Sequence, residues 1–209
     1  MTNKDYRAAP PGRYARGVSL LELLVVMSII GILVKVAMPS METFVADQRL
    51  VGAAEQLYGH LQQARTEAVS RNQTLYFNFS ASGTTTWTYG MSTYTSSCDL
   101  TKTAATSTGA CVMVTSDGDS TLDNGSGSTD TGDLVLYRFP STDFTGVKMT
   151  LSSFSSGTQI TYSPLRGTST SGKITLESAK GTKLQVEVSL LGHPKICTPD
   201  SSMKAYPAC

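Results

Sequence analysis

From Val18 to Met38 the chain reads VSLLELLVVMSIIGILVKVAM, 21 residues in which Glu22 and Lys35 are the charged ones. As an α-helix rising about 1.5 Å per residue, this run spans roughly 30 Å, the thickness of one bilayer core. A total of 209 residues leaves room for one further ordinary domain, not for a multidomain machine. Before the run comes MTNKDYRAAPPGRYARG, residues Met1 to Gly17, with Lys4, Arg7, Arg13 and Arg16 against Asp5. The basic flank predicts a cytoplasmic N-terminus and a chain whose bulk lies across the membrane. A secretory signal would need small residues in an A-x-A-like pattern after the apolar core. Here the core ends in Lys35-Val36-Ala37-Met38-Pro39, which argues against cleavage at that end.

Charge balance follows the same division. Of 17 Lys plus Arg and 16 Asp plus Glu, the first 17 residues hold four bases and one acid, so 13 bases and 15 acids remain without them. That remainder has no net positive field of the kind bulk nucleic-acid binding requires. Glu22 admits two readings, because an ionised carboxylate in hydrocarbon is costly. Either it has a partner, or it lies at headgroup depth and stays wet.

After Pro39, the residues Phe44, Val51, Ala54, Leu57, Tyr58, Leu61, Ala64 and Ala68 recur at three- and four-residue steps, which predicts an amphipathic helix. Joined to the apolar run it extends to about Arg71, a rod of about 80 Å with a bend at Pro39. From Gln73 onward, short apolar runs separated by Gly, Ser and Asp clusters predict an antiparallel sheet. These runs are Leu75 to Phe79, Trp87 to Tyr89, Cys111 to Val114, Leu134 to Phe139, Val147 to Leu151, Gln159 to Tyr162, Lys173 to Leu176 and Leu184 to Leu190. One face of that sheet is expected to cover the outer half of the helix, giving an α+β head. The resulting organisation is a leader over 1–17, an apolar transmembrane or filament-core segment over 18–38, an amphipathic half-helix over 39–71 and a β-rich head over 72–209. Within the head, Thr95 to Gly132 is rich in Ser, Thr, Gly and Asp and reads as mobile surface loop.

The segment Gly17-Val18-Ser19-Leu20-Leu21-Glu22-Leu23-Leu24-Val25-Val26 resembles the processing and N-terminal signature of type IV pilins and type II secretion pseudopilins. Counting Val18 as the first mature residue puts Glu22 fifth and Pro39 twenty-second, as in that family. Val18 stands where the family most often has Phe, and Lys35 falls inside the apolar run, from which its ammonium can snorkel to an interface. Residues Glu55 to Arg71 and Gly192 to Cys197 resemble the GspH/FimT/FimU branch. The resemblance implies the type IV pilin fold, a prepilin peptidase that cuts between Gly17 and Val18, N-methylation of Val18, and assembly roles for Glu22 and Pro39. It implies a minor pilin that enters a type IV pilus as a priming or tip subunit, with a type II secretion pseudopilin as the alternative. Its place would be the bacterial inner membrane, head in the periplasm, and then the filament, with other pilin or pseudopilin subunits as partners.

Cys98, Cys111, Cys197 and Cys209 all fall on the side expected to be oxidising, where disulfides are the default. Four cysteines allow three connectivities, and the local one, Cys98 with Cys111 and Cys197 with Cys209, is the expectation. A four-thiolate zinc site lacks the C-x2-C spacing such sites use. Asp117, Asp119 and Asp123 offer oxygens of the kind calcium takes, but Thr121, Leu122 and Ser128 break the EF-hand pattern. The stretch reads as an Asx-rich turn, with calcium as the alternative and no other cofactor expected.

In DNA-uptake members of the branch, the resemblance implies Gly-Arg-x-Arg where this chain has Gly192-His193-Pro194-Lys195. His193 and Lys195 thus mark the DNA contact of a third reading, a DNA-binding minor pilin, weakened by having one dependable cation where two guanidiniums would stand. The competing reading is a β-turn leading into the second disulfide loop. With His60 and His193 the sole histidines, no nucleophile, base and orienter appear at a recognisable spacing, so enzyme chemistry is not expected.

Overall fold

The structure is a computed structural model that describes residues 17–80, 82–93, 96–114, 134–155 and 157–209, with backbone alone over 36–40. The chain divides into two compact units, one up to Glu42 and one over Thr43–Cys209. One helix, α1 (Leu20–Ser70), contains the division point. Its first unit consists of exposed apolar surface, from Leu20, 84% exposed, through Val34. Its second unit carries the head.

Within that second unit α1 is amphipathic, and its buried face is Leu50, Ala53, Ala54, Leu57, Leu61, Ala64 and Ala68. Five of these positions were legible as periodicity, but Leu50 and Ala53 belong to the stripe and Phe44, 59% exposed, does not. Ala53, Ala54, Ala64 and Ala68 share this buried face with Leu50, Leu57 and Leu61. The helix ends where Asn72 takes a positive φ and Arg71, Asn72 and Gln73 donate to carbonyls of the last turn.

Among the described residues the head has ten strands: β1 (Leu75–Ser80), β2 (Thr88–Ser92), β3 (Val112–Val114), β4 (Leu134–Leu136), β5 (Arg138–Pro140), β6 (Lys148–Ser152), β7 (Gln159–Tyr162), β8 (Gly172–Glu177), β9 (Lys183–Val188) and β10 (Pro194–Cys197). In place of the single sheet read from the sequence, they form two four-stranded antiparallel sheets, β5-β2-β1-β7 and β10-β9-β8-β6, and a two-stranded ribbon, β3-β4. The run Leu134 to Phe139 splits because its halves pair differently: Leu134–Leu136 with β3, Arg138–Pro140 with β2. Tyr137 bridges the two ladders, donating to the Cys111 carbonyl and accepting from the Met91 amide. β10 has no counterpart in the sequence reading. Pro194 hid it, yet as a first strand residue proline costs no ladder hydrogen bond.

A single core joins α1 to both sheets. It contains Leu57 and Leu61 of the helix, Phe77, Tyr89 and Ile160 of the first sheet, and Met149, Ile174, Leu184 and Val186 of the second. Aromatic rings knit the first sheet, Phe77 stacking on Tyr89 at 5.4 Å and Trp87 on Tyr89 at 6.0 Å. The Trp87 indole donates to the Val147 carbonyl at 2.9 Å, satisfying its buried polar atom. Part of the stretch expected to be surface loop is also packed: Cys98, Leu100 and Cys111 form a small buried cluster, and Met113 is fully buried.

Candidate functional site

At the N-terminal end, Gly17 to Ser19 precede the helix and the Ser19 carbonyl accepts the Leu23 amide at 3.1 Å. Among the described residues no atom lies within 4 Å of the point where a Cβ on Gly17 would stand. Glu22 sits in the first turn of α1, where the positive end of the helix dipole favours an acid. Its side chain is exposed among exposed Leu20, Leu21, Leu23 and Val26. Pro39 lies inside the helical span, where its missing N–H leaves one carbonyl of the preceding turn without an intrahelical partner. Among the described residues no helix is long and apolar enough to cross a membrane. The side chains described there run from Val18 to Lys35, and Glu22 and Lys35 interrupt them.

At the other end of the chain, the β9–β10 turn is closed by Gly192 N–H to the Ser189 carbonyl at 2.9 Å, with Gly192 at φ +76°. Lys195 follows on β10. Its register partner on β9 is Glu187, whose own partner on β8 is Lys173. Both ammonium groups reach the same carboxylate, Lys173 at 2.7 Å and Lys195 at 2.8 Å. Hydrogen bonds from Lys173 and Lys195 hold the Glu187 carboxyl below the usual carboxylate range. The structure therefore spends the cation counted on in the sequence on a cross-strand triad. His193 does not join that triad. Its Nδ1 faces Arg65 Nη1 of α1 at 3.2 Å.

Arg65 is the residue the sequence did not single out. It lies 128 positions from His193, and only tertiary packing joins them. From Nε it donates to the Gly167 carbonyl at 3.1 Å, so one guanidinium touches both the β7–β8 and β9–β10 turns. A cleft of about 310 Å³ lies beside this turn, lined by Ser171, Lys173, Glu187, Ser189, His193 and Lys195 among others.

The cysteines are joined locally, Cys98 to Cys111 with Cα atoms 4.9 Å apart and Cys197 to Cys209 with Cα atoms 5.0 Å apart. Cys197, Cys209 and Glu187 lie close together, but both sulfurs are consumed in the disulfide, so no thiolate is present to ligate a metal. Asp117, Asp119 and Asp123, the calcium reading, lie outside the described residues.

These features define a class: an exposed apolar helical segment preceded by a glycine and followed by a disulfide-bonded α+β head. Comparison with known sequences gives it a family. Residues 53–192 match the family described as Type II transport protein GspH, and residues 12–34 match the prokaryotic N-terminal methylation motif. The chain belongs to the GspH family. It is a pilin-like protein of the GspH type that carries the N-terminal methylation motif, in a group whose members are structural subunits and not enzymes. Among curated proteins none matches the chain. Two crystal forms of the type IV minor pilin FimU of Pseudomonas aeruginosa are similar in structure, both at 18% identity. One covers 72% of this chain and 94% of its own with a TM-score of 0.40, the other 74% and 91% with a TM-score of 0.39.

Proposed function

We propose that this chain is cleaved between Gly17 and Val18 by a prepilin peptidase, N-methylated at Val18, and built at low abundance into a type IV pilus as a priming or tip subunit. The observation that carries the reading is the N-terminal motif, Gly17 followed by an apolar helical segment with Glu22 in its first turn. Before assembly the apolar run holds the subunit in the inner membrane, N-terminus in the cytoplasm and head in the periplasm, as the basic flank dictates. On assembly Glu22 meets the Val18 amine of a neighbouring subunit, so that two charges are neutralised together. Other pilin-type subunits cover the exposed apolar surface, in keeping with the GspH family.

The same motif serves a type II secretion pseudopilus, and one experiment separates the two. In a strain lacking the chain, surface pili should fall sharply while exoprotein secretion continues, and the restored chain should co-purify with sheared pili. Unchanged piliation with secretion abolished would assign the chain to the secretion system.

A further inference from the structure

Beyond Val45, the exposed large apolar side chains among the described residues are Val69, Val135, Leu165, Leu190 and Leu191. All of these except Val135 gather at the end of the head where α1 stops. Leu165, 86% exposed, tips the β7–β8 turn, which is closed by Ser163 N–H to the Thr168 carbonyl at 2.7 Å and Gly167 N–H to the Ser163 carbonyl at 3.0 Å. Leu190 and Leu191 tip the β9–β10 turn. Ser169 ties the two turns, its N–H donating to the Leu190 carbonyl at 3.1 Å and its hydroxyl to the Ser189 carbonyl at 2.9 Å. Val69 lies beside them, since a Cβ built on Gly167 would stand 3.2 Å from its Cγ2. Val69 and Leu165 supply apolar walls to an open cleft of about 520 Å³, and Arg65 and Arg166 supply its charge. Residues 163–169 and 189–193 contain no Asp or Glu, and Glu67, the acid on this stretch of α1, is held by Arg71 at 2.6 Å. Arg166 is exposed and makes no ion pair among the described residues.

We propose that this end of the head is a docking surface for a different protein, one that presents a carboxylate flanked by apolar side chains. A contiguous exposed apolar patch rimmed by polar groups marks such a contact, and leucines tipping hydrogen-bonded turns serve no core. The partner's apolar side chains cover Leu165, Val69, Leu190 and Leu191, and its carboxylate accepts from the Arg166 guanidinium, whose planar fork matches a carboxylate. Turns already fixed by their own hydrogen bonds lose little freedom on binding, so the burial is not offset by ordering. Charge selects the occupant. A second copy laid face to face would set Arg166 against Arg166, one basic surface on another. Duplex DNA would meet the arginines but leave the leucines uncovered, and so few phosphate contacts hold it weakly. An anionic bilayer offers charge but does not enter a cleft between a helix and a turn. The surface belongs to the head alone, so a single copy suffices, as a subunit of low abundance requires. It extends the subunit reading by naming the chemistry of one partner.

The test uses the full chain in cells of its own species, with photoreactive benzoylphenylalanine in place of Leu165 or of Leu191, and in place of exposed Val135 on β4 as the control. Irradiation should give one protein cross-link of the same mass from positions 165 and 191 and none from 135. The linked peptide should carry an Asp or Glu beside Leu, Ile, Val or Phe. With the probe at 191, Arg166→Glu should cut the yield about tenfold, and exchanging the partner's acid for Lys should restore it. Leu165→Ser should lower the yield with the charge intact. Both replaced side chains are exposed, so the fold is not at stake. Absence of a product, a product with a second copy, lipid or nucleic acid, or a yield that Arg166→Glu does not move overturns the docking surface. Intact mass of the same chain tests the subunit reading separately. A chain that begins at Val18 but gives no cross-link overturns the surface alone, and a chain that keeps Met1 yet gives the cross-link overturns the subunit reading alone.

Discussion

Arg65 Nη1 lies 3.2 Å from Nδ1 of His193, joining the outer half of α1 to a turn 128 positions further along the chain. The same guanidinium donates to the Gly167 carbonyl, and Gly192 passes so close that an added Cβ would stand 1.9 Å from that carbonyl oxygen. Helix, β7–β8 turn and β9–β10 turn are thus fastened at one point.

Gly192→Ala should break this fastening, because Gly192 combines φ +76° with backbone, not a flexible side chain, as the obstacle. The expected loss is about 2–3 kcal/mol, which thermal unfolding of the chain in detergent would register as a fall of several degrees. An unchanged melting temperature would show that the turns can separate without cost.

The C-terminal tail depends on its disulfide. Thr198 N–H donates to the Pro207 carbonyl, Cys209 N–H to the Thr198 carbonyl, and the Tyr206 hydroxyl to Glu55 Oε1 of α1 at 3.0 Å. Closing a loop of 12 positions restricts the unfolded chain by up to about 3 kcal/mol on the chain-entropy account. Cys197→Ser with Cys209→Ser should lower the melting temperature and open residues 198–209 to proteolysis, while non-reducing peptide mapping of the unmodified chain finds both local links.

His60 gives the head a pH dependence. Its Nδ1 lies 3.1 Å from the Tyr89 hydroxyl, its ring centroid is 3.8 Å from that of Phe139, and burial lowers its pKa from the ordinary 6.5. The unfolded chain then binds the proton first, so this contribution is complete above about pH 6.5 and is lost as pH falls below it. Glu187, whose carboxyl is held below 4.5, adds a second loss of the same sign at lower pH. Melting temperature should therefore decline from pH 7 to pH 5, and His60→Phe should flatten that decline while leaving the acid limb below pH 4.5.

The contrast between what could be read in advance and what could not follows from the range of each interaction. Leu57, Leu61, Ala64 and Ala68 announced the helix face because a 3.6-residue period is local. Strand positions were legible for the same reason, whereas the division into two sheets was not, since it depends on Leu134–Leu136 and Arg138–Pro140 choosing different partners far away. At the hairpin, the sequence marked His193 and Lys195 together, whereas Lys195 lies on β10 and His193 precedes it in the turn. It could not show that Glu187 and Lys173 would share Lys195's charge, or that Arg65 would arrive beside His193, because both depend on register and packing. Gly17, Glu22 and the run after them needed no tertiary information.

Weak DNA binding follows from the same hairpin. Lys195 is held by Glu187 and Arg65 is engaged with Gly167 and His193, so few cations remain to neutralise phosphates. Retention of duplex DNA by the detergent-solubilised chain should be slight near physiological salt, with a salt slope of about two or less at about 0.9 per phosphate. His193→Arg with Lys195→Arg should strengthen it. Tight binding by the unmodified chain, lost in Lys195→Ala, would establish a DNA receptor instead.

The most direct test of the account is the intact mass of this chain recovered from the sheared filament fraction, compared between the unmodified protein and Glu22→Ala. The account predicts a chain that begins at Val18 with one added methyl group, present in filaments when Glu22 is intact and confined to the membrane, though still cleaved, when it is replaced. A chain retaining Met1, or a Glu22→Ala chain that enters filaments as readily as the unmodified one, would contradict it.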